Sequence, residues 1–311
     1  MVLNDRSLLV RQVGILLLLI GLVLAAKTFG YDVAHLGANA TGSARFLMLL
    51  GILALCGQVP FQTWFHDVGT AMPSAGALIN TVLTANLGFY SYVILFGGEP
   101  ITGFSIAFAS YLALATAIIC GGAAVIENDM GRMLGYSTAS VVALALLSVF
   151  RGGDFGLAMG LLLIVVNSLI KMGFFAFMAI NDSLGLKRDF RFMGGYGKSF
   201  PWVVVGAILL SLALTPFSPL ISFFAYSLFA VNLAWVGSTW MVVLIMGVLV
   251  LYCANSLRII YFISFGARSE SQVEGRMVAS RVLAFSLSVL FLLLFSLGAV
   301  LYPRLIYSIV G

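Results

Sequence analysis

The sequence predicts an all-α protein, a polytopic bundle of transmembrane helices. Hydrophobic residues make up 62% of its 311 positions and charged residues only 9%, against roughly 25% charged residues in soluble proteins. The 16 basic and 11 acidic side chains are too few to cover a soluble surface of this size. The apolar residues also fall into runs of about 20, the length that crosses a hydrocarbon core of roughly 30 Å as a helix.

Nine apolar segments are predicted to span the membrane. They are residues 8–27, 44–66, 74–97, 104–126, 134–150, 156–180, 200–232, 236–264 and 280–302. Arg6 and Arg11 precede the apolar run of the first segment, as the basic end of a signal peptide precedes its apolar part. It is long enough to span, and no clear small-residue cleavage site follows it, so we predict a retained helix.

Prolines predict that two of these segments are broken or kinked. Segment 44–66 bends at Pro60, and segment 200–232 is interrupted at Pro216 and Pro219. Proline removes an amide donor and clashes with the preceding turn. In transporters such breaks expose backbone groups to an ion path, whereas in other bundles they are simple kinks. The prolines alone leave both interpretations open.

The loop charges predict a cytoplasmic N-terminus, because basic residues collect on the cytoplasmic side. Alternating the sides places ten basic residues with the N-terminus: Arg6, Arg11, Arg132, Lys187, Arg188, Arg191, Lys198, Arg268, Arg276 and Arg281. Four fall on the opposite side: Lys27, Arg45, Arg151 and Arg304. Nine crossings then place the C-terminus outside.

Several functional classes are excluded by the same residues. The scattered charges form no basic patch, so nucleic-acid binding is not expected. The three cysteines lie far apart within apolar segments, and the two histidines lie far from them. We therefore predict no metal site, no cofactor-binding residues and no catalytic site in this chain.

Lys171 is the clearest candidate for chemistry, because it is the sixteenth residue of segment 156–180. A charge in the middle of a membrane helix costs about 2.5–3.5 kcal/mol on insertion scales. Asn167 and Ser168 precede it by four and three residues, so all three share one helix face. The functional interpretation is a proton relay or ion site. The alternative is a structural lysine held by carbonyls or by a carboxylate of a neighbouring helix.

Other polar residues give weaker signals. Asn80, Thr84 and Ser91 form a stripe on segment 74–97 that lines a water path or joins helices by hydrogen bonds. Gly156 and Gly160 predict close helix packing.

Four charged residues lie near the predicted ends of helices. Arg258 is placed near the cytoplasmic end of segment 236–264, where snorkelling accounts for it. Asp129 and Arg132 are placed in a short loop, and Asp67 follows the first broken helix. On the residues alone, each is compatible with a simple end charge.

Four stretches together resemble one superfamily, the antiporter-like membrane subunits of respiratory complex I, Mrp-type cation/proton antiporters, membrane-bound hydrogenases and related inorganic-carbon uptake systems. They occur in the family's order: GQVPFQTWFHDVGTAMPSAGALINTVLTANLGFY at 57–90, VIENDMGRMLGYSTAS at 125–140, LLIVVNSLIKMGFFAFMAI at 162–180 and LALTPFSPLISFF at 212–224. The resemblance implies two inverted five-helix repeats, each with one broken helix, and a line of buried titratable residues. It divides the chain into 1–97 (a remnant of the first repeat), 104–264 (the second repeat) and 280–311 (a C-terminal helix).

By position, Lys171 matches the central lysine of the family's second repeat. The other matches are Asp67 after the first broken helix and, in the loop motif, Asp129, Arg132, Tyr136 and Ser137. The chain departs from the family pattern where it has Leu55 for a lysine, Asn80 and Asn167 for histidines, and Tyr226 for a lysine or glutamate. Asparagine cannot take up a proton. The pattern also begins at the sixth of about fourteen helices, so the first half-channel is incomplete in this chain.

The resemblance implies a membrane subunit of a multi-subunit ion-translocating complex, in an energy-coupling membrane such as a bacterial or archaeal cell membrane. Lys171 would carry a proton or sodium path, with Asn167, Asn80 and Thr84 supporting it. The alternatives are a non-conducting scaffold subunit and a subunit of an energy-coupled inorganic-carbon uptake system. The expected partners are the bilayer and other membrane subunits, including a chain that supplies the missing helices. Any redox chemistry, of the quinone oxidoreductase or hydrogenase type, would lie in those partners.

Overall fold

A computed structural model describes ten stretches of the chain. They are residues 5–29, 36–40, 42–64, 74–78, 82–97, 103–185, 188–193, 200–235, 239–266 and 279–301. Within these stretches the chain is helical and contains no β-strand. The all-α prediction is therefore confirmed.

Twelve α-helices make up the described part of the chain. They are α1 Asp5–Phe29, α2 Leu36–Asn39, α3 Gly42–Leu55, α4 Ser74–Leu78, α5 Thr84–Phe96, α6 Phe104–Ile126, α7 Met130–Arg151, α8 Gly153–Ser183, α9 Pro201–Ala213, α10 Ile221–Trp235, α11 Thr239–Phe265 and α12 Ala279–Leu301. Six of them (α1, α6, α7, α8, α11 and α12) are long and apolar enough to cross a membrane. Each of the nine predicted segments overlaps at least one of the twelve helices, and six segments overlap a helix of this length.

The loop between α6 and α7 is shorter than predicted. The Asp129 carboxylate accepts a hydrogen bond from the Arg132 amide (3.0 Å), so Asp129 is the N-cap of α7. Arg132 therefore lies in the first turn of α7 rather than in the loop, and Ser137 lies two turns into the helix. The four-residue error arose because Asn128, Asp129 and Arg132 lower the hydropathy around the first turn of α7, which therefore reads as loop.

The first predicted break follows α3. Gly57 has a φ of 62°, and its amide donates to Ala54 O while the Gln58 amide donates to Leu53 O. These two bonds form a Schellman motif, which ends a helix at a left-handed glycine. Beyond it, the Val59 amide donates to the Thr116 hydroxyl of α6 (3.0 Å).

The second predicted break separates α9 from α10, with Pro216 and Pro219 in the intervening turn. The Ser222 hydroxyl donates to Thr215 O across the turn (2.8 Å). The Ile221 amide donates to the Ser296 hydroxyl of α12 (3.1 Å). At both breaks, then, a hydroxyl of another helix accepts a backbone amide that proline and the turn leave outside helical pairing.

Helices α7 and α8 form an antiparallel hairpin that turns at Gly153, where the backbone has a φ of 54°. The Ser148 hydroxyl donates to Gly156 O (3.0 Å). A Cβ atom at Gly160 would lie 2.9 Å from Ala145 O. The close packing predicted from Gly156 and Gly160 is therefore present, and it joins the two arms of this hairpin.

Helix α7 is the centre of the bundle, because nearly all of its side chains are buried. The hairpin packs against α6, α10 and α12, and α11 packs against α6 and α9. Helix α1 packs mainly on α3 and leaves a broad apolar face uncovered. The residues of that face include Leu9, Leu16, Leu19, Ile20 and Val23.

Candidate ion path around Lys171

Lys171 is fully buried, and its Nζ donates a hydrogen bond to the Ser137 hydroxyl (2.7 Å). The hairpin at Gly153 sets this contact, since the two residues lie 18 and 16 positions from the turn on opposite arms. Among the described residues, Lys171 is the one charged side chain in the buried set. The sequence predicts the depth of Lys171 from its position in the segment, whereas it indicates Ser137 only through the family resemblance.

The helix face of Lys171 carries further polar groups, as its spacing predicts. Asn167 is buried one turn away, and Ser168 is half-buried and donates to Ile164 O (2.7 Å). The Asn86 side chain of α5 donates to the Ser168 hydroxyl (3.0 Å). An amide from α5 thus reaches the polar face of α8.

Asn86 is the residue of α5 that the predicted stripe missed. Thr84 is half-buried at the first position of α5, two residues from Asn86. Ser91 donates to Leu87 O in its own helix (2.8 Å). Asn80 lies outside the described residues, as does Asp67. The sequence does contain a signal for Asn86. A side-chain amide within an apolar helix needs a hydrogen-bond partner, and this applies to Asn86 as much as to Asn80.

Two hydroxyl groups form a second polar contact one turn along α7 from Ser137. Ser140 is fully buried, and its Oγ lies 2.7 Å from Ala117 O and 2.6 Å from the Tyr252 hydroxyl of α11. The ring of Tyr226, from α10, lies 5.9 Å from the ring of Tyr252. In the sequence, Tyr226 stands out as a departure from the family pattern, whereas nothing marks Ser140 or Tyr252.

Arg258 lies in a separate cluster at the end of the bundle where α7 begins. Its guanidinium donates to Val125 O, to Glu127 O (2.7 Å) and to the Asn128 side chain (2.6 Å). It also lies over the rings of Phe190 and Phe262, at 5.5 and 5.8 Å. Snorkelling alone is therefore an insufficient account, because Arg258 ties the α6–α7 loop to α11.

Ion pairs and backbone bonds complete this end of the bundle. Arg188 forms a bidentate pair with Asp182 (2.9 and 3.0 Å), which also accepts a hydrogen bond from Ser74 (2.8 Å). The Met130 amide donates to Arg188 O, and the Phe190 amide donates to Asn128 O. We name this group the loop cluster, and it also includes Arg258, the Asp129–Arg132 contact and the Asp189–Arg191 ion pair.

Burial and ion pairing act in opposite directions on two carboxylates of the loop cluster. Burial raises the pKa of Asp129, and the backbone hydrogen bond and the positive charge of Arg132 oppose that shift. Hydrogen bonding from Arg191 lowers the pKa of Asp189. Arg132 is exposed and pairs loosely with Glu127 (3.9 Å).

The structure does not bring the loop cluster to Lys171. Eight residues of α7 separate Asp129 from Ser137, roughly 12 Å along the helix axis. Eleven residues of α8 separate Asp182 from Lys171, roughly 16 Å. Within the described stretches, no three His, Cys, Asp or Glu side chains come together as a metal site requires.

The fold and the site define a class: a polytopic helical membrane protein with two interrupted helices and a lysine buried at the centre of its bundle. The family described as "NADH:quinone oxidoreductase/Mrp antiporter, TM" matches residues 6–252, and this chain belongs to that family.

Individual relatives agree with the family match. Subunit N of the NADH-quinone oxidoreductase of Nitrosomonas europaea is 25% identical over 218 residues, which cover 69% of this chain and 45% of that protein. The membrane-bound sulfane sulfur reductase, an archaeal respiratory membrane complex, contains a chain with a TM-score of 0.83 at 18% identity, covering 97% of this chain and 64% of that one. A chain of the Mrp complex from Dietzia sp. DQ12-45-1b matches with a TM-score of 0.81 at 19% identity, and the match covers 97% of this chain and 65% of that one. These two likenesses concern the fold. The chain spans about half the length of the curated relatives it matches.

Proposed function

We propose that this chain is a membrane subunit of a multi-subunit ion-translocating complex and that Lys171 carries a proton through it. The observation that carries the proposal is the contact of a fully buried Lys171 with Ser137. An ammonium group away from water is expensive, and buried ionisable residues in membranes mark proton and ion paths. A neutral hydrocarbon side chain of similar volume would pack the same space at lower cost.

The neighbours of Lys171 suit a path rather than a fixed ion pair. Its partner among the described residues is a serine, whose hydroxyl both accepts and donates hydrogen bonds. The Asn86–Ser168 contact and buried Asn167 extend the polar surface towards α5. Thr84 and Asn80 belong to the proposed path through their positions in the sequence, at the N-terminal end of the same helix and just before it. No carboxylate of the described residues pairs with Lys171.

We propose that the partners are other membrane subunits, on the basis of the uncovered apolar face of α1 and of the complexes that contain the relatives. Subunit N belongs to an NADH-quinone oxidoreductase, and both structural neighbours are parts of membrane complexes. Helix α1 exposes an apolar face wide enough for further helices, including those a separate chain would supply. We propose that the N-terminus is cytoplasmic and that the complex lies in a bacterial or archaeal cell membrane.

The test is Lys171→Met in the intact complex. A tag on this chain isolates the complex from its host, and the cofactors of the co-purifying subunits identify the driving reaction. With the complex in sealed vesicles, a pH-sensitive dye then measures proton uptake per turnover. We expect uptake to fall at least tenfold in Lys171→Met. Lys27→Met is the matched control, since Lys27 is an exposed lysine in the last turn of α1, and it should leave uptake unchanged.

A scaffold role is the second candidate, because the described helices bury one charged residue alone. Under that role Lys171→Met would transport protons at the wild-type rate. That result would overturn the proposed path while leaving the subunit's place in its complex intact. If the path carries sodium instead, we expect the proton uptake that the dye reports to depend on the sodium gradient across the vesicle membrane.

A further inference from the structure

The hydroxyl groups beyond Lys171 form a line across three helices. Ser137 contacts Lys171, and Ser140 lies three residues further on the same face of α7, about 4.5 Å along the axis. Ser140 is 2.6 Å from the Tyr252 hydroxyl. Tyr226 of α10 packs beside Tyr252, and it lies six residues after Leu220 of the second break.

The line has the chemistry of a relay. A hydroxyl accepts a proton on its oxygen and releases the one it carried, so protons advance while every group ends neutral. The single proton of Ser140 has two acceptors within reach, Ala117 O and the Tyr252 oxygen. Rotation of this hydroxyl between them reverses the direction of the Ser140–Tyr252 hydrogen bond, which is the resetting step that a chain of hydroxyls needs.

Burial argues against a purely apolar packing role for these residues. Ser137, Ser140, Tyr226 and Tyr252 are all buried. A phenylalanine would fill either tyrosine position without a hydroxyl to satisfy, and this chain uses phenylalanine 25 times.

Asn255 adds an acceptor at the same interface. It lies one turn after Tyr252 on α11, and its Nδ2 approaches the Met133 sulfur of α7 (3.3 Å). Its buried Oδ1 has no hydrogen-bond partner among the described residues. Met133 lies one turn before Ser137 on α7, so this open acceptor lies at the α7–α11 interface beside the end of the line that Ser137 forms.

We infer that Ser140, Tyr252 and Tyr226 relay protons between the Lys171–Ser137 pair and the second break. The inference rests on the proposed function of Lys171. In each step the lysine ammonium or a hydroxyl gives up one proton to the next oxygen and regains one from behind. Only N–H and O–H bonds form and break, and no oxidant or reductant takes part. Water molecules would carry the proton across the two intervals that have no direct hydrogen bond, Ser137 to Ser140 and Tyr252 to Tyr226.

The test is Tyr252→Phe in the intact complex, measured by the same dye in sealed vesicles. The variant keeps the buried ring and removes one hydroxyl, so we expect proton uptake per turnover to fall at least tenfold. Ser140→Ala breaks the same hydrogen bond from the other side, and the double variant should lose no more than either single one. Tyr226→Phe should also lower uptake per turnover.

Tyr92→Phe is the matched control. Tyr92 is equally buried, but it packs against Phe96 and Phe150 away from the line, and its loss should leave uptake per turnover unchanged. The ratio of protons to turnovers separates a relay from a structural role, because misfolding lowers the amount of active complex rather than this ratio.

The outcomes distinguish the two proposals. Normal uptake in Tyr252→Phe and Ser140→Ala together with lost uptake in Lys171→Met would overturn the relay and retain the lysine path. Normal uptake in Lys171→Met would overturn the proposed function itself. If Tyr252→Phe does not accumulate, Ser140→Ala alone decides the relay.

Discussion

The two broken-helix regions of this protein share their backbone chemistry and differ in their side chains. After α3, the Val59 amide bonds to Thr116, and before α10, the Ile221 amide bonds to Ser296. In both places a neighbouring helix supplies a hydroxyl to a backbone group released by the break. The second broken helix packs through α10 on the α7–α8 hairpin that carries Lys171, and it places the buried Tyr226 beside Tyr252. Near the first, the buried side chains are Leu55, Cys56 and Gln58 and carry no charge.

This difference separates two properties of a broken helix, which are its free backbone groups and a nearby side chain that gains or loses a proton. An interrupted helix supplies free backbone groups, but here a single serine or threonine satisfies each amide inside the protein. The backbone alone therefore gives no site that gains or loses a proton. The α7–α8 hairpin, on which the second broken helix packs through α10, carries the titratable group, and the first region has the same architecture without a buried charged side chain of its own among the described residues.

The largest expected effect comes from placing a lysine in the first region. Leu55→Lys puts an ammonium where α3 meets α5, since a Cβ atom at Gly88 would lie 3.1 Å from the Leu55 Cβ. An intramembrane lysine costs about 2.5–3.5 kcal/mol on insertion scales. We expect several-fold less folded protein in detergent-extracted membranes, measured by size-exclusion chromatography.

Leu55→Met is the control, because this swap keeps the volume of the side chain and usually costs less than about 1.5 kcal/mol. Normal accumulation of Leu55→Lys would contradict the contrast between the regions. It would mean that the first region, too, can hold a buried ammonium.

The second expected effect concerns the turn that brings Lys171 to Ser137. Gly153 has a φ of 54° and a ψ of −143°, a conformation that costs other residues about 1–3 kcal/mol. Gly153→Ala should therefore lower the thermal unfolding midpoint and reduce transport through a shifted hairpin. Gly122→Ala is the control, because a Cβ atom there meets nothing within 4 Å. An unchanged midpoint in Gly153→Ala would show that the hairpin register does not depend on this turn.

Local features of the fold were predictable, and distant pairings were not. The prolines act on their own helix, so both breaks could be read from the sequence. The depth of Lys171 and its shared face with Asn167 follow from helical spacing alone. Its partner Ser137 is 34 residues away and is set by the hairpin register. That register depends on how two helices pack, which hydrophobic periodicity does not specify.

The Ser140–Tyr252 pair shows the same limit more strongly, because its members are 112 residues apart on α7 and α11. A serine or a tyrosine within an apolar helix is common, and nothing in either local sequence indicates the other. Arg258 illustrates a different error. Its position near a helix end was predicted, but its bonds to Glu127 and Asn128 depend on how α11 packs against α6.

The smallest expected effect lies at the N-terminal end of α7, which orients the arm that carries Ser137. Asp129→Ala removes the N-cap of this helix and should lower the free energy of unfolding by about 1 kcal/mol. Asp129→Asn keeps a capping side chain and removes the half-buried charge, so it should be close to neutral at pH 7. Thermal unfolding of the purified chain in detergent measures both.

The pH dependence of stability distinguishes the cap from the charge. Because burial raises the pKa of Asp129 above 3.8, the folded state binds its proton more tightly than the unfolded state does. Stability from this group therefore increases as the pH falls through its folded pKa towards 3.8, and it is lost as the pH rises again. Asp189, with its lowered pKa, acts in the opposite sense, and its contribution is lost as the pH falls below 3.8. Asp129→Asn should abolish the first change and leave the second. A pH profile identical to wild type would show that the Asp129 carboxylate is solvated in the folded protein, so that the α7 end of the second region is held by the cap alone.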